Sequence, residues 1–211
     1  MRQKNKLPSV TGATETIRES SQHSQEFPAR LMKCTHGWDD LVIPNHLKDS
    51  LRRFVFEAKE RKQLWEQQNV RNLSPKVKGL MCLFTGESGT GKTMASEVLA
   101  NELNLDLYRI DLSQVVSKYI GETEKNLKQL LARAESMDVL LLFDEADALF
   151  GKRTEVKDAH DRYANTDTNY LLQAIENYRG IVILASNKKE NIDEAFLRRL
   201  RYVIDFPWPE D

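Results

Sequence analysis

Apolar and polar positions along the chain fall into short strand-like runs that alternate with longer segments of helical spacing. Strands are predicted near residues 80–85, 107–111, 139–144, 181–186 and 202–206. Helices are predicted near residues 91–103, 122–136, 161–178 and 192–199. Strands that are separated by helices favour right-handed crossovers. The pattern therefore predicts an α/β fold with a five-stranded parallel sheet that is covered by helices on both faces.

The first part of the chain has a different composition. Residues 1–30 are rich in Ser, Thr, Gln and charged side chains and have no sustained apolar period, which predicts a polar, disordered tail or linker. The folded domain is expected over 31–211, with order beginning near Trp38. A further helix is predicted from Asn45, a candidate N-cap, because apolar residues recur after it at helical spacing.

The first chemical motif lies directly after the strand predicted at 80–85. Residues 86–93 read GESGTGKT and fit the phosphate-binding pattern G-x-x-x-x-G-K-[ST]. Lys92 is expected to reach the β- and γ-phosphates of a nucleotide, and Thr93 to ligate Mg²⁺. The candidate nucleotide contacts are Gly86, Glu87, Ser88, Gly89, Thr90, Gly91, Lys92, Thr93 and Met94. A glycine-rich turn that matches by chance is the alternative, but the predicted strand before the motif and helix after it are the context that the motif requires.

The second motif ends another apolar run. Residues 139–145 read VLLLFDE, a pattern typical of a strand buried on both faces, and the run ends in Asp144 and Glu145. Carboxylates at such a position are costly unless they bind a cation or handle a proton. We expect Asp144 to ligate Mg²⁺ with Thr93, and Glu145 to polarise the attacking water. The alternative is a strand end that simply emerges into solvent. Together the two motifs predict binding and hydrolysis of a nucleoside triphosphate.

Composition narrows the range of partners. The chain of 211 residues has 31 basic and 32 acidic side chains and a formal net charge of −1, which favours neither nucleic acid nor a membrane surface as a partner. No apolar run has the length of a membrane span, and the N-terminus lacks the apolar core of a secretion signal. Cys34 and Cys82 are the only cysteines, and no second pair of ligands completes a metal site with Cys34 and His36. A reducing cytoplasm is the expected location.

With these motifs, the chain resembles the AAA ATPases, in the clade that includes katanin, spastin, the valosin-containing protein and the membrane AAA proteases. The resemblance extends from WDDLVIP at 38–44 to the fifth predicted strand. It implies the large α/β subdomain of the family, ATP and Mg²⁺ as cofactors, a hexameric ring of identical subunits and a polypeptide substrate. It also implies that the segment containing Leu41 and Val42 recognises the adenine base.

The resemblance assigns a substrate-binding loop. Residues 117–127, SKYIGETEKNL, are similar to the first pore loop of the family, in which an aromatic side chain from each subunit contacts the polypeptide in the central channel. Tyr119 lies at the position of that aromatic residue, between Lys118 and Ile120. An aromatic ring offers an apolar contact that tolerates many side chains. The alternative is an ordinary exposed tyrosine that precedes a helix.

Two further segments carry candidate catalytic residues. ILASN at 183–187 is similar to the strand that bears a polar sensor residue, here Asn187, although turn chemistry is the alternative role of this asparagine. FLRRLRY at 196–202 resembles the segment that gives arginine fingers to the neighbouring subunit. Arg198 and Arg201 have the expected spacing of three, but Arg199 lies between them, so the choice of finger stays open. A basic helix end that faces its own dipole is the alternative.

One departure from the family pattern concerns a small helical lid, which family members carry after the fifth strand. The chain ends at Asp211, so the domain is expected to stop before the lid. Two other functions stay open. One is a nucleotide-switched loader or scaffold that acts without threading a substrate, and the other is an ATP-binding assembly component with little turnover. The sequence contains no H-E-x-x-H motif, which would indicate an attached metalloprotease.

Overall fold

The structure is a computed structural model, and it describes residues 29–67, 79–112, 123–149, 170–192 and 194–208. Within these segments, Ala146–Leu149 and Lys189–Asn191 form 3₁₀ turns. The strands and helices in chain order are β1 (Ala29–Leu31), α1 (Asn45–Gln67), β2 (Leu80–Thr85), α2 (Lys92–Leu103), β3 (Leu107–Asp111), α3 (Thr123–Met137), β4 (Leu140–Asp144), α4 (170–177), β5 (Ile181–Ser186), α5 (Glu194–Leu197) and β6 (Tyr202–Asp205).

Within the described residues, the sheet has six strands in the order β1-β3-β4-β5-β2-β6. Strands β2 to β6 are parallel and match the five predicted strands, so the predicted fold class is confirmed. The count of five was short by one, because β1 pairs antiparallel with β3 at the edge of the sheet. This strand has only three residues, too few for an alternation signal to be recognised. Because β1 begins at Ala29, the prediction that order starts near Trp38 is wrong. The strand also spans the boundary predicted between residues 30 and 31.

Side chains along the central strands alternate between two apolar cores. On β4, Leu140 and Leu142 pack with α1 and α2, whereas Leu141 and Phe143 pack with α3 and α4. All four side chains are buried, since a parallel sheet with helices on both faces has no solvent-facing side in its centre. The prediction of helices on both faces is confirmed. No helix among the described segments is long and apolar enough to cross a membrane.

The strand register brings the carboxyl ends of the parallel strands to one edge of the sheet. Thr85 at the end of β2 pairs with Ser186 of β5 and Asp205 of β6. Asp111 of β3 pairs with Asp144 of β4. In open α/β sheets, ligands bind in the crevice outside this edge. Both sequence motifs follow directly from strands that end there.

Candidate functional site

The loop between β2 and α2 has the backbone geometry of an anion cradle. Gly86, Gly89 and Gly91 have φ values of 138°, 90° and 99°, a region that side chains other than glycine rarely adopt. At Gly86 the space is also closed, because a Cβ atom there would lie 2.3 Å from the carbonyl oxygen of Phe206. Backbone of this kind turns successive N–H groups toward one point, which suits a phosphate.

Lys92 fixes the shape of this loop. Its Nζ donates to the carbonyl oxygens of Gly86 and Glu87, at 2.6 and 2.7 Å. The residue is only 6% exposed, and burial lowers the pKa of its ammonium group, while the negative charges of Asp144 and Asp147 act in the opposite direction. The 3₁₀ turn after β4 reaches the same edge of the sheet, because Asp147 accepts a hydrogen bond from Ser186, the strand partner of Thr85, which immediately precedes the loop. The phosphate loop and the end of β4 therefore form one site.

The rest of the loop combines exposed backbone with internal hydrogen bonds. The Thr90 hydroxyl donates to the Glu87 carbonyl at 2.9 Å, whereas Glu87, Ser88 and Gly89 are exposed to solvent. Thr93 and Met94, in the first turn of α2, are half-buried. That turn contains no acidic side chain, so the positive end of the helix dipole is directed at the loop without a competing carboxylate.

Asp144 and Glu145 lie at the end of β4 in different environments. One Asp144 oxygen accepts a hydrogen bond from Arg109 Nη2 at 2.5 Å, and the other accepts one from the backbone N–H of Glu145 at 2.9 Å. Arg109 was not foreseen as a partner of this carboxylate. Glu145 is exposed and has a φ of 53°, a left-handed conformation that is uncommon for glutamate.

Asp144 and Thr93 supply the oxygen ligands that Mg²⁺ prefers, so the residues present fit this ion. Within the described residues, no group of three or more His, Cys, Asp or Glu side chains could hold a metal. Mg²⁺ is typically held by one or two protein oxygens together with substrate phosphates and water. A hydroxyl and a carboxylate beside a phosphate loop match that mode.

Asp147 is a member of the site that the sequence analysis missed. Its Oδ1 accepts long hydrogen bonds of 3.4 Å from the Ser186 hydroxyl and from the backbone N–H of Asn187. It thereby links the 3₁₀ turn after β4 to the end of β5, where the Asn187 side chain is exposed. Its position three residues after Asp144, on a turn that continues the strand, was the available signal.

Two apolar side chains flank the loop. Leu41 is 1% exposed, and its Cδ1 would lie 3.9 Å from a Cβ placed on Gly91. Val42 is 81% exposed, so of these two residues only Leu41 packs into the core. On another side of the loop, the Trp208 ring would lie 3.8 Å from a Cβ placed on Gly89. No local pattern in the sequence indicated that Trp208 approaches the loop.

The predicted arginines lie apart from the loop of their own chain. Tyr202, which follows Arg201, pairs with Cys82, three residues before the end of β2. At about 3.3 Å per residue, the start of β6 is therefore roughly 10 Å below the carboxyl edge of the sheet. Arg198 pairs with Glu194 at 3.2 Å and Arg201 with Glu57 at 2.6 Å.

Arg199 pairs with Glu176 at 2.9 Å, so each of the three arginines has a carboxylate partner within its own chain.

The predicted pore-loop residues, Lys118, Tyr119 and Ile120, lie outside the described residues.

Comparisons with known proteins agree with this geometry. The family model of the ATPase family associated with various cellular activities (AAA) matches residues 82–208, which is more than half of the chain. An uncharacterised AAA family ATPase, y4kL of Sinorhizobium fredii, is 35% identical over 151 residues, which cover 71% of this chain and 45% of that protein. Human spastin is 32% identical over 168 residues, which cover 77% of this chain and 26% of spastin.

Solved structures give the same fold. The crystal structure of the FIGL-1 AAA domain in complex with ADP aligns with a TM-score of 0.64 at 22% identity, and the alignment covers 98% of this chain and 65% of that one. A second structure of the FIGL-1 AAA domain aligns with a TM-score of 0.66 at 23% identity, covering 93% and 62% of the two chains. The chain spans less than half the length of the curated relatives named above.

Proposed function

Because this chain belongs to the AAA family of ATPases, in the clade of spastin and katanin, we propose that it is the ATP-hydrolysing module of a ring-forming motor that remodels protein substrates. The observation that carries the proposal is that the phosphate loop with its buried Lys92 and the carboxylates of Asp144 and Asp147 lie at the carboxyl ends of β2 and β4, the two strands that flank β5 in the sheet. Phosphoryl transfer requires a cation that binds the phosphates, a carboxylate that binds Mg²⁺ and a residue that activates the attacking water.

Each residue has a separate role in this proposal. The N–H groups of the loop and Lys92 bind the β- and γ-phosphates of ATP. Thr93 and Asp144 would hold Mg²⁺, which would neutralise charge on the triphosphate. Glu145 polarises the water that attacks the γ-phosphate, and its exposed side chain at the end of β4 is accessible to that water. Asn187, at the end of the neighbouring strand β5, orients the same water.

The ring and its substrate extend the proposal beyond a single chain. Arg198 lies on the surface in the segment that leads into β6, whose first residue is roughly 10 Å below the carboxyl edge of the sheet by strand register, and its exposed guanidinium suits the triphosphate of a neighbouring copy. Tyr119, flanked by Lys118 and Ile120, contacts the polypeptide in the channel of the ring. The near-neutral charge of the chain favours a protein over nucleic acid as the substrate.

Replacing Glu145 tests this function. Glu145→Gln retains the size of the side chain but removes the base, so ATP should bind with wild-type affinity while turnover falls by about 100-fold or more. The readouts are calorimetry for binding and phosphate release for turnover, in the full-length protein. Glu190→Gln, an exposed glutamate after β5, is the matched control and should leave both quantities unchanged. Turnover at the wild-type rate in Glu145→Gln contradicts the proposed catalytic role.

The same variant tests the motor. With ATP bound and not hydrolysed, Glu145→Gln should form a larger assembly in analytical ultracentrifugation and retain a fluorescently labelled unstructured polypeptide such as casein. Adding Tyr119→Ala should abolish casein binding without dispersing the assembly, whereas Tyr119→Phe should preserve it, because the ring provides the contact. Assembly that retains a DNA duplex instead of casein favours the nucleotide-switched loader.

A further inference from the structure

A strap of residues 35–41 is fastened along α2, the helix that begins at the phosphate loop. The backbone N–H of Thr35 donates to Glu97 Oε2 at 3.5 Å, and Nδ1 of His36 lies 2.6 Å from the same oxygen. One turn further along the helix, the Asn101 side-chain amide donates to the His36 carbonyl at 2.7 Å. The strap therefore follows α2 through contacts of both its backbone and its side chains.

A second set of contacts holds the middle of the strap. The indole N–H of Trp38 donates to Glu102 Oε2 at 3.2 Å, and the other oxygen of Glu102 accepts from Lys59 of α1 at 2.6 Å. The guanidinium carbon of Arg52 lies 5.5 Å from the centre of the Trp38 ring, within the range of a cation–π interaction. Trp38 is thus held between the two helices that pack on this face of the sheet.

Glu97 is the residue around which the strap is organised. It is 8% exposed, and a buried carboxylate destabilises the fold unless hydrogen bonds satisfy it. Thr35 and His36 provide those bonds from residues that lie 62 and 61 positions away in sequence. Glu97 is four residues beyond Thr93 along α2, one helical turn from the first turn of the phosphate site.

The far end of the strap lies at the nucleotide site. Its last residue, Leu41, is buried and approaches Gly91 of the phosphate loop, and the next residue, Val42, is exposed. We propose that His36 and Glu97 are positioning residues for the nucleotide base, which hold the segment containing Leu41 in register with the phosphate loop through α2. The inference rests on the proposed nucleotide binding at this loop. It predicts that the strap influences the base and sugar end of ATP and leaves the phosphate end unaffected.

Two probes separate these ends, namely ATP and inorganic tripolyphosphate, which has the phosphate chain without a base. In calorimetry, His36→Ala should weaken ATP binding by about tenfold, as expected for the loss of one hydrogen bond to a charged group. Tripolyphosphate affinity should change by less than about twofold, because the loop itself is intact. Glu97→Gln should weaken ATP binding by only about threefold, since the amide oxygen still accepts from Thr35 and His36.

His46→Ala is the matched control, because His46 is an exposed histidine on α1 outside the strap, and it should change neither affinity. Equal losses for ATP and tripolyphosphate in His36→Ala and Glu97→Gln overturn the proposal, because they indicate a general structural effect. Unchanged ATP affinity in both variants, with thermal melting showing that they are folded, also overturns it. Failure of the proposed nucleotide function gives a different result, because the wild-type protein itself then binds tripolyphosphate but not ATP.

Discussion

The phosphate loop and the arginine segment, residues 194–202, differ in how far along the chain their basic side chains find hydrogen-bond partners. Lys92 bonds to carbonyl oxygens five and six residues before it, so the cradle is made by one short stretch of chain. In the arginine segment, Arg201 reaches Glu57 of α1, which is 144 positions away in sequence. The cradle is thus a local structure, whereas Arg201 is oriented by a distant helix. Arg198 differs from Arg201, because its partner Glu194 lies only four residues before it.

Burial sharpens this difference. Lys92 is 6% exposed, whereas the Arg198 side chain is 79% exposed and that of its partner Glu194 is 83% exposed. An ion pair of two such exposed groups contributes roughly 0–1 kcal/mol, so little holds Arg198 in place. Arg201 is also exposed, but its partner Glu57 is only 16% exposed and accepts further bonds from Arg61 and Tyr202. Of these two arginines, Arg198 is the one that can reorient toward a neighbouring subunit at little cost.

The largest expected effect comes from removing the buried cation. Lys92→Ala should abolish measurable ATP binding and with it all turnover, because Lys92 is the only basic side chain in the loop at residues 86–93. Lys188→Ala, an exposed lysine at the same edge of the sheet, is the control and should bind ATP normally. Calorimetry on both variants decides the point. Wild-type affinity in Lys92→Ala is incompatible with the phosphate-loop assignment.

The next effect distinguishes the arginines. In the full-length protein, Arg198→Ala should preserve ATP affinity but lower turnover by about a thousandfold, the magnitude typical of an arginine finger supplied by a neighbour. Arg201→Ala should lower turnover much less, because Glu57 already engages that side chain. Phosphate release measured beside calorimetry separates the two. A larger loss of turnover in Arg201→Ala than in Arg198→Ala reverses the assignment.

Mixing variants tests completion between subunits. Arg198→Ala has an intact loop, and Lys92→Ala has an intact arginine, so mixed rings should recover part of the turnover that each variant lacks alone. Mass spectrometry of intact assemblies confirms that mixed rings are present. If such rings recover nothing at any mixing ratio, Arg198 acts within its own chain or does not act as a finger.

The smallest effect concerns stability around Glu57. Burial alone raises the pKa of Glu57, but hydrogen bonds from Tyr202 and Arg61 and the charges of Arg61 and Arg201 more than offset it, so the pKa is below its usual value. A carboxyl with a lowered pKa stabilises the fold above the ordinary glutamate pKa, about 4.3, and this contribution is lost as pH falls through the folded-state value.

Glu57→Gln should therefore reduce the free energy of unfolding by roughly 1–2 kcal/mol at pH 7, and the difference from wild type should shrink below about pH 4. Urea unfolding at several pH values measures both quantities. Glu60→Gln, an exposed glutamate on the same helix, is the control for a general charge effect. A constant difference between pH 7 and pH 3 argues against the titration of Glu57 as its source.

The sequence alone determined the features that depend on local periodicity or on one short motif. The predicted strand at 107–111 coincides with Leu107–Asp111, and the helix predicted over 91–103 is found at Lys92–Leu103. Apolar runs report burial on both faces of a parallel sheet, and the glycines of the loop report backbone geometry that other residues rarely adopt. For this reason the fold class and the position of Lys92 between β2 and α2 could be predicted without coordinates.

Only the tertiary structure decided the contacts between residues far apart in the chain. The pairing of β1 with β3, the clasp of His36 on Glu97 and the approach of Trp208 to Gly89 each join segments separated by more than 60 positions. Such contacts depend on the order of strands in the sheet, which periodicity does not encode. The same reason separates the arginines. Glu194, the partner of Arg198, lies only four residues before it in the sequence, whereas Glu57, the partner of Arg201, is brought to it by the packing of α1 against the sheet.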